Sequence, residues 1–512
     1  MVNSLPPLAW LFTRPEFGKP RLVHGFAVDV FEDGFFEGCL AGNMAGDLTQ
    51  IQEVFGSGMR IQNGKYVFIT PSHTRESIFV YRRGRDISFS NSLPFLLEFH
   101  EVTLPWDSHY ARKLASICLG IDAYEKELLK IGETEILRLA YDNLVIGPEG
   151  KCELIRKPMP PRFKTYSEYV GYLEETLRQA FANAARDGRT MSYHPLATCS
   201  SGYDSAAAAA LAQPLGCREA ITLTEGFTKK SFAEPDSGKV TGESLGLTVR
   251  EFEHPGNMRL KGGFQDIALF LATGFGAVDY NYTPFAGVLG GRVLLTGDYG
   301  DVIWGMHSEP SSDLTRVVFS GNSLQEFRLR RNYVLIPVPF IGSRRSQEIW
   351  TISHAPEMEP YMLRTDYDRP IPRRILEERG VPRKEFGQRK KYGATVLKNP
   401  LVLGDRVRSE YEAFAAKLSA PRTRYRVRGL GWKTREGIYR AASVMEKFLP
   451  ALRSTKRSLI GESFPLFLHS RPGESLEICV ALAAVQEMYR TEFKSNSTIT
   501  VQNGAPRLVM KK

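Results

Sequence analysis

Two places where an apolar run breaks into a small-residue loop carrying aspartate constrain this chain of 512 residues most. The first is Pro195-Leu-Ala-Thr198 followed by Cys199-Ser-Ser-Gly-Tyr-Asp-Ser205, opening into Ala206–Ala210, a helix start of near-maximal propensity. Strand, tight loop and helix make an anion cradle: backbone N–H groups point outward, the helix N-terminus is partly positive, and small side chains let a phosphate approach. The loop is not a Walker A, because it lacks the Gly-Lys-Ser/Thr ending. It carries Asp204 instead, and a carboxylate beside a polyphosphate makes sense only with Mg²⁺ between them. The second place is Val293-Leu-Leu295 running into Thr296-Gly-Asp-Tyr-Gly-Asp301, with Asp298 and Asp301 at a second strand end. The two strand ends could share one magnesium-bound pyrophosphate.

Between these motifs the chain alternates: Ala220–Thr224 reads as a strand, Ser237–Leu245 as a helix and Thr248–Phe252 as a strand. That alternation predicts a parallel sheet of the doubly wound kind, with ligands at the carboxyl ends of its strands. Residues 1–160 read as β-rich, with runs such as Lys65–Thr70 and Ser77–Arg82 punctuated by Gly and Asn. The proline-rich Lys157–Arg162 is a linker. Beyond it, Thr165 and Glu168 form a capping-box pattern, and Tyr166, Val170, Leu173, Leu177 and Phe181 recur at helical spacing as a core stripe. Past about residue 305 the chain reads as helical and irregular, rich in Pro and Arg.

Ser200-Ser-Gly-Tyr-Asp-Ser205 resembles the Ser-Gly-Gly-x-Asp-Ser pyrophosphate loop of the asparagine synthetase superfamily, and Thr296–Asp301 resembles its Ser-Gly-Glu-Gly-x-Asp segment. β-Lactam synthetases and lasso peptide cyclases belong to the same group. The resemblance is strong over roughly residues 165–400. It implies an α/β fold with a doubly wound parallel-sheet ATP-pyrophosphatase domain (adenine nucleotide α-hydrolase-like) over 161–512. A degenerate Ntn-glutaminase-like β-rich domain would precede it over 1–160, and Ile87–Leu97 resembles that domain's closing strand and short helix. Glutamine-using relatives begin with a catalytic cysteine after removal of Met1. Here Val2 stands there and the nearest cysteine, Cys39, falls in a predicted loop, so no glutaminase chemistry is expected.

The implied reaction uses Mg²⁺ and ATP to adenylate a carboxylate with release of pyrophosphate, after which an amine attacks. By resemblance Asp204 and Asp301 hold the metal, and Ser200, Ser201, Gly202, Tyr203 and Ser205, with Thr224 and Gly297, contact the nucleotide. Ser201 replaces the usual glycine. Asp298 stands where the family has Glu, one methylene shorter, and is assigned to the substrate or the attacking amine. Tyr280 and Tyr282 lie where β-lactam-forming relatives pair a tyrosine with that carboxylate, although core or rim placement suits each better. Lys391, with Lys390 as the alternative, matches the lysine that reaches the α-phosphate, and the preceding Tyr367–Leu376 is also family-like.

Charge and hydropathy bound the rest. No apolar run approaches a bilayer span, and no basic segment precedes a hydrophobic one at the N-terminus, so a cytoplasmic enzyme is expected. The six cysteines show no Cys-x-x-Cys pairing and read as reduced. Net charge is +10, and residues 421–460 hold eleven Lys/Arg against two Glu. A solvated face explains that run better than a polyanion site, so nucleic acid is disfavoured as a partner. Expected partners are a small-molecule or peptide carboxylate and an amine, with a homodimer left open. Two rivals stand: a non-catalytic nucleotide-binding scaffold, and an ammonia-fed asparagine synthetase. Asp298 and the diverged carboxy-terminal third disfavour the latter.

Overall fold

Alternating apolar residues build two antiparallel sheets in the first part of the chain. The computed structural model describes residues 4–105, 110–226, 234–254, 263–274, 279–307, 309–316, 321–365, 367–388, 405–418 and 474–494. One sheet contains β1 (Trp10–Arg14), β2 (Arg21–His24), β7 (Ile78–Arg83), β8 (Asp86–Ser90), β9 (Glu127–Ile131) and β10 (Thr134–Leu139), in the order β2-β1-β8-β7-β10-β9. The other contains β3 (Asp29–Phe31), β4 (Gly34–Ala41), β5 (Glu53–Gln62), β6 (Lys65–Ile69), β11 (Asn143–Ile146) and β12 (Cys152–Ile155), in the order β12-β11-β6-β5-β4-β3. Trp10, Phe12 and Phe89 from the first interdigitate with Phe35, Met59 and Phe68 from the second, as the two-residue period of a strand requires. Phe68 and Phe89 stack with ring centroids 4.0 Å apart. Cys39 lies in β4 and is fully buried, which corrects its expected place in a loop; burial pushes its thiol up to about 12.

After the sandwich, the Tyr166–Ala184 helix starts where its cap predicts. Thr165 accepts from Glu168 N at 3.3 Å, while Glu168 Oε2 accepts from Lys164 N at 2.6 Å. Tyr166, Leu173, Leu177 and Phe181 are buried along one face, with Val170 at its margin.

The parallel sheet follows: β13 (His194–Thr198), β14 (Glu219–Leu223), β17 (Thr248–Phe252), β18 (Arg292–Thr296) and β19 (Tyr333–Pro337), with β15 (Glu225–Gly226) and β16 (Glu234–Pro235) forming a small hairpin beside it. The order β17-β14-β13-β18-β19 reverses between β13 and β18, and a reversal of this kind leaves room for a crevice at the strands' carboxyl ends. β19 lies in the region read as helical and irregular. Tyr-Val-Leu-Ile-Pro is buried at every residue, as a parallel strand should be, and proline at the end of an edge strand costs no ladder bond. No described helix is long and apolar enough to cross a membrane, and all six cysteines are free.

The sandwich and the parallel unit share one continuous core. At their boundary Arg328 donates to both Glu37 oxygens at 2.8 and 2.9 Å and pairs with Glu76 at 2.5 Å, all three side chains being buried. Nearby, Gln325 donates to the Ser77 carbonyl at 2.7 Å, and Gly342 N donates to Glu53 at 2.9 Å. The Glu474–Lys494 helix packs across both halves, with Tyr489 stacked on Phe95 at 4.9 Å.

Candidate functional site

β13 ends at Thr198, and the loop that follows is tied down by its own side chains. Ser200 Oγ lies 2.8 Å from Ser205 Oγ and accepts from Gly202 N at 3.2 Å. Ser201 Oγ donates to Asp236 Oδ1 at 2.7 Å and Ser201 N to the Asp236 carbonyl at 3.2 Å. The side chain at the position of the usual glycine is therefore accommodated by turning it towards Asp236, beside the β15–β16 hairpin. Thr224, the residue after β14, donates to the Phe252 carbonyl at 3.4 Å and accepts Asp236 N at 3.0 Å through its own carbonyl. It supports Asp236 and through it the Ser201 loop. Tyr203 is fully buried: its ring packs on Tyr367, its hydroxyl accepts from Arg373, and Arg373 Cζ lies 5.1 Å above its ring. Its side chain is a core anchor, which leaves only its backbone for a ligand.

Asp204 opens the Asp204–Ala212 helix, and the second motif closes on it. A Cβ built on Gly300 would lie 2.6 Å from Asp204 Cγ; one on Gly297 would lie 2.7 Å from Asp204 Cβ and closer still to the backbone of Asp204 and Ser205. Neither glycine has a positive φ, so close approach, not conformational freedom, is what each supplies. On its other side Asp204 accepts from Arg369, which is 5% exposed. Burial works against the Arg369 cation, but the charge and hydrogen bond of Asp204, together with Tyr367 and, least, Asp301, outweigh it, and the guanidinium is held charged. Arg369 and Arg373 are contacts that motif reading passed over, although both lie within the Tyr367–Leu376 stretch that the sequence singled out.

Between the two glycines the turn does something unusual. Tyr299 adopts a left-handed conformation (φ 77°) at the second glycine of the resembled pattern, and its buried ring stacks on Phe340 at 4.3 Å. Left-handed backbone costs a non-glycine residue roughly 1–2 kcal/mol, which the buried stack offsets. Asp298 accepts from Thr296 Oγ1 at 3.2 Å and is partly exposed. Of the two upstream tyrosines it is Tyr282 that feels it: burial, then the charges of Asp298 and Asp279, raise its phenol well above the ordinary range. Tyr280 instead feels Asp266 and is tied to Thr283. Asp301 is exposed in the first turn of the Gly300–Ile303 helix. Lys390 and Lys391 lie outside the described residues, as does the basic 421–460 segment; just before the lysines, Gly387 N donates to the Ser201 carbonyl at 2.8 Å.

Among the described residues no three His, Cys, Asp or Glu side chains cluster as a self-sufficient metal site. Asp204 and Asp301, both acting on Arg369, fit the lesser share that a protein gives to Mg²⁺ carried on substrate phosphates, namely one or two carboxylates. Neither a family model nor a curated protein matches this chain.

Proposed function

We propose that the chain is an ATP-dependent, AMP-forming amide ligase. The observation that carries this reading is Asp204 at a helix start on the switch point of a parallel sheet, enclosed by two glycines of a second strand-end turn and backed by Arg369. A helix N-terminus, two carboxylates and a buried cation suit one pyrophosphate leaving group. Asp204 and Asp301 would hold Mg²⁺, which supplies charge neutralisation on the phosphates. The Ser200–Ser205 loop orients the nucleotide. A substrate carboxylate oxygen attacks the α-phosphorus and pyrophosphate leaves; an amine nitrogen then attacks the acyl carbon, AMP leaves, and Asp298 is assigned to take the amine's proton. Lys391 or Lys390 is assigned to the α-phosphate. The amine comes from the substrate itself or from solution; the sandwich's Cys39 is too deeply buried, and its thiol too weakly acidic, to act as a nucleophile.

The test is pyrophosphate release from Mg·ATP across a panel of carboxylates, comparing the native protein with Asp204→Asn, which keeps an acceptor for Arg369. Release that depends on one carboxylate and is lost in the variant supports ligation. A second reading, nucleotide binding without catalysis, is favoured by the Asp204–Arg369 ion pair, since that pair already neutralises the carboxylate. It predicts Mg·ATP binding with no release for any acid, and an absence of Mg·ATP binding would sink both.

A further inference from the structure

The loop that should cradle a phosphate with its backbone has turned two of its amides inward. Ser201 N donates to the Asp236 carbonyl and Gly202 N to Ser200 Oγ, each at 3.2 Å, and Ser201 Oγ is held by Asp236 as well. An anion resting on this stretch must find its donors elsewhere. One stands directly over Gly202. A Cβ there would lie 3.3 Å from both Tyr367 Oη and Ser200 Oγ, so the bare face of Gly202 lies against the Tyr367 hydroxyl.

Tyr367 differs from Tyr203, the buried tyrosine it packs on. It is half-buried, as are Ser201, Gly202, Asp204 and Ser205, and its hydroxyl makes no hydrogen bond among the described residues and is not sealed from solvent. The ring is nonetheless fixed. Its centroid lies 4.8 Å from that of Tyr203, and Arg369 Cζ lies 5.2 Å above it. Between Tyr367 and Arg369, Asp368 turns back on its own segment, where Oδ2 accepts Leu363 N at 2.7 Å and Arg364 N at 2.6 Å. Tyr367 and Arg369 thus reach the loop from one braced turn, the first with a neutral donor and the second with a cation. Burial and then the charge of Asp204, with lesser pushes from Asp236 and Asp301, raise the phenol above its ordinary range against the pull of the Arg369 cation, so it keeps its proton.

We propose that Tyr367 is a pyrophosphate-binding residue whose hydroxyl donates to a phosphate oxygen held over Gly202, in place of the amides turned inward. The phosphate brings its own Mg²⁺, because Asp204 and Asp301 both act on the same phenol and would repel a bare anion. The hydrogen bond tightens as negative charge collects on the departing pyrophosphate, with no proton transferred, so Tyr367 assists departure as well as binding. AMP, which keeps the other phosphate, does not engage it. The assignment rests on the reading of Ser200–Ser205 as a pyrophosphate loop.

The intact protein is titrated calorimetrically with Mg·pyrophosphate, Mg·ATP and AMP, comparing the native chain with Tyr367→Phe, which removes the hydroxyl and keeps the ring between Tyr203 and Arg369. The expected result is a loss of roughly 10- to 100-fold in affinity for Mg·pyrophosphate and for Mg·ATP, the worth of one hydrogen bond to a charged partner. AMP affinity and the melting temperature should not change. Equal Mg·pyrophosphate affinity in the two proteins, or an equal loss for AMP, overturns the role of Tyr367. A native protein that binds neither Mg·pyrophosphate nor Mg·ATP overturns it together with the reading of the loop. Hydroxyl-dependent pyrophosphate binding, with no pyrophosphate released from ATP for any acid, overturns the ligase reading and leaves the Tyr367 contact standing.

Discussion

Replacing Gly300 with alanine separates the role of close packing at Asp204 from general stability. The new methyl would lie 2.6 Å from Asp204 Cγ and 2.8 Å from Oδ1, whereas ordinary contact begins at 3.4 Å, so the carboxylate must retreat by about 0.8 Å. A misplacement near 1 Å at a reacting centre costs on the order of 10²-fold in rate, or ~2.7 kcal/mol of barrier. The yielding group is a side chain that is 21% exposed, so the stability loss should stay near the low end of the ~1–3 kcal/mol typical of overpacking. Gly297→Ala differs in kind: its methyl meets the backbone of Asp204 and Ser205, and both folding and function should suffer. Gly171, in the Tyr166–Ala184 helix with nothing within 4 Å, is the control; alanine there should stabilise by ~1 kcal/mol and leave the site untouched. Calorimetric Mg·ATP affinity and pyrophosphate release, each alongside a melting curve, read all three. Native affinity and release in Gly300→Ala would refute the claim that Asp204's position governs the site.

Other substitutions probe different parts of the chain. Asp204→Ala strands the buried Arg369 cation and should cost ~3–5 kcal/mol, with Asp204→Asn losing less; equal melting of the two variants would argue against the ion pair. Arg328→Met leaves Glu37 and Glu76 buried together without a cation and should lower stability by a similar ~3–5 kcal/mol, read as a fall in the urea midpoint. Burial raises the Glu53 carboxyl from 4.5 to about 7, so between those values the folded chain holds a proton that the unfolded chain releases, and stability falls as pH climbs through that window. Glu53→Gln should abolish that fall, a gain of about 3 kcal/mol above pH 7 and none below pH 4.5, and melting curves parallel to the native ones across pH 4–8 would exclude Glu53. Tyr299→Gly relieves ~1–2 kcal/mol of left-handed strain but forfeits a buried ring worth ~3–5 kcal/mol, so net destabilisation is expected; a rise in melting temperature would overturn the stacking account.

Local signals carried the parallel sheet as far as β18. Val293–Leu295 is a short apolar run and Thr248–Phe252 a short run with β-branched and aromatic residues at its ends, and the alanine run after Ser205 leaves little besides helix. β19 was hidden because Tyr333–Pro337 sits directly behind an arginine-rich helix, with only the left-handed Asn332 as a stop. At the site, the aspartates and glycines announced themselves through spacing. The partners of those groups did not, since Arg369 meets Asp204 across 165 positions. A buried arginine in a sequence looks like any exposed one; only the fold shows which cations were taken out of water. Tyr203 is the converse case, a polar aromatic in the Ser200–Ser205 loop whose ring is taken up by the core.

The Glu37–Arg328–Glu76 cluster has a consequence for how the chain can be cut and inherited. Arg328 belongs to the helix that precedes β19, and both of its anions come from the sandwich. A fragment beginning after the linker would keep the cation and lose both counter-charges, while the complementary fragment would keep two carboxylates with nothing between them. Separately expressed pieces should precipitate, and co-expressed halves should recover each other. Whatever chemistry the sandwich has or lacks, deleting it would strip a buried cation of the parallel half of both its counter-charges.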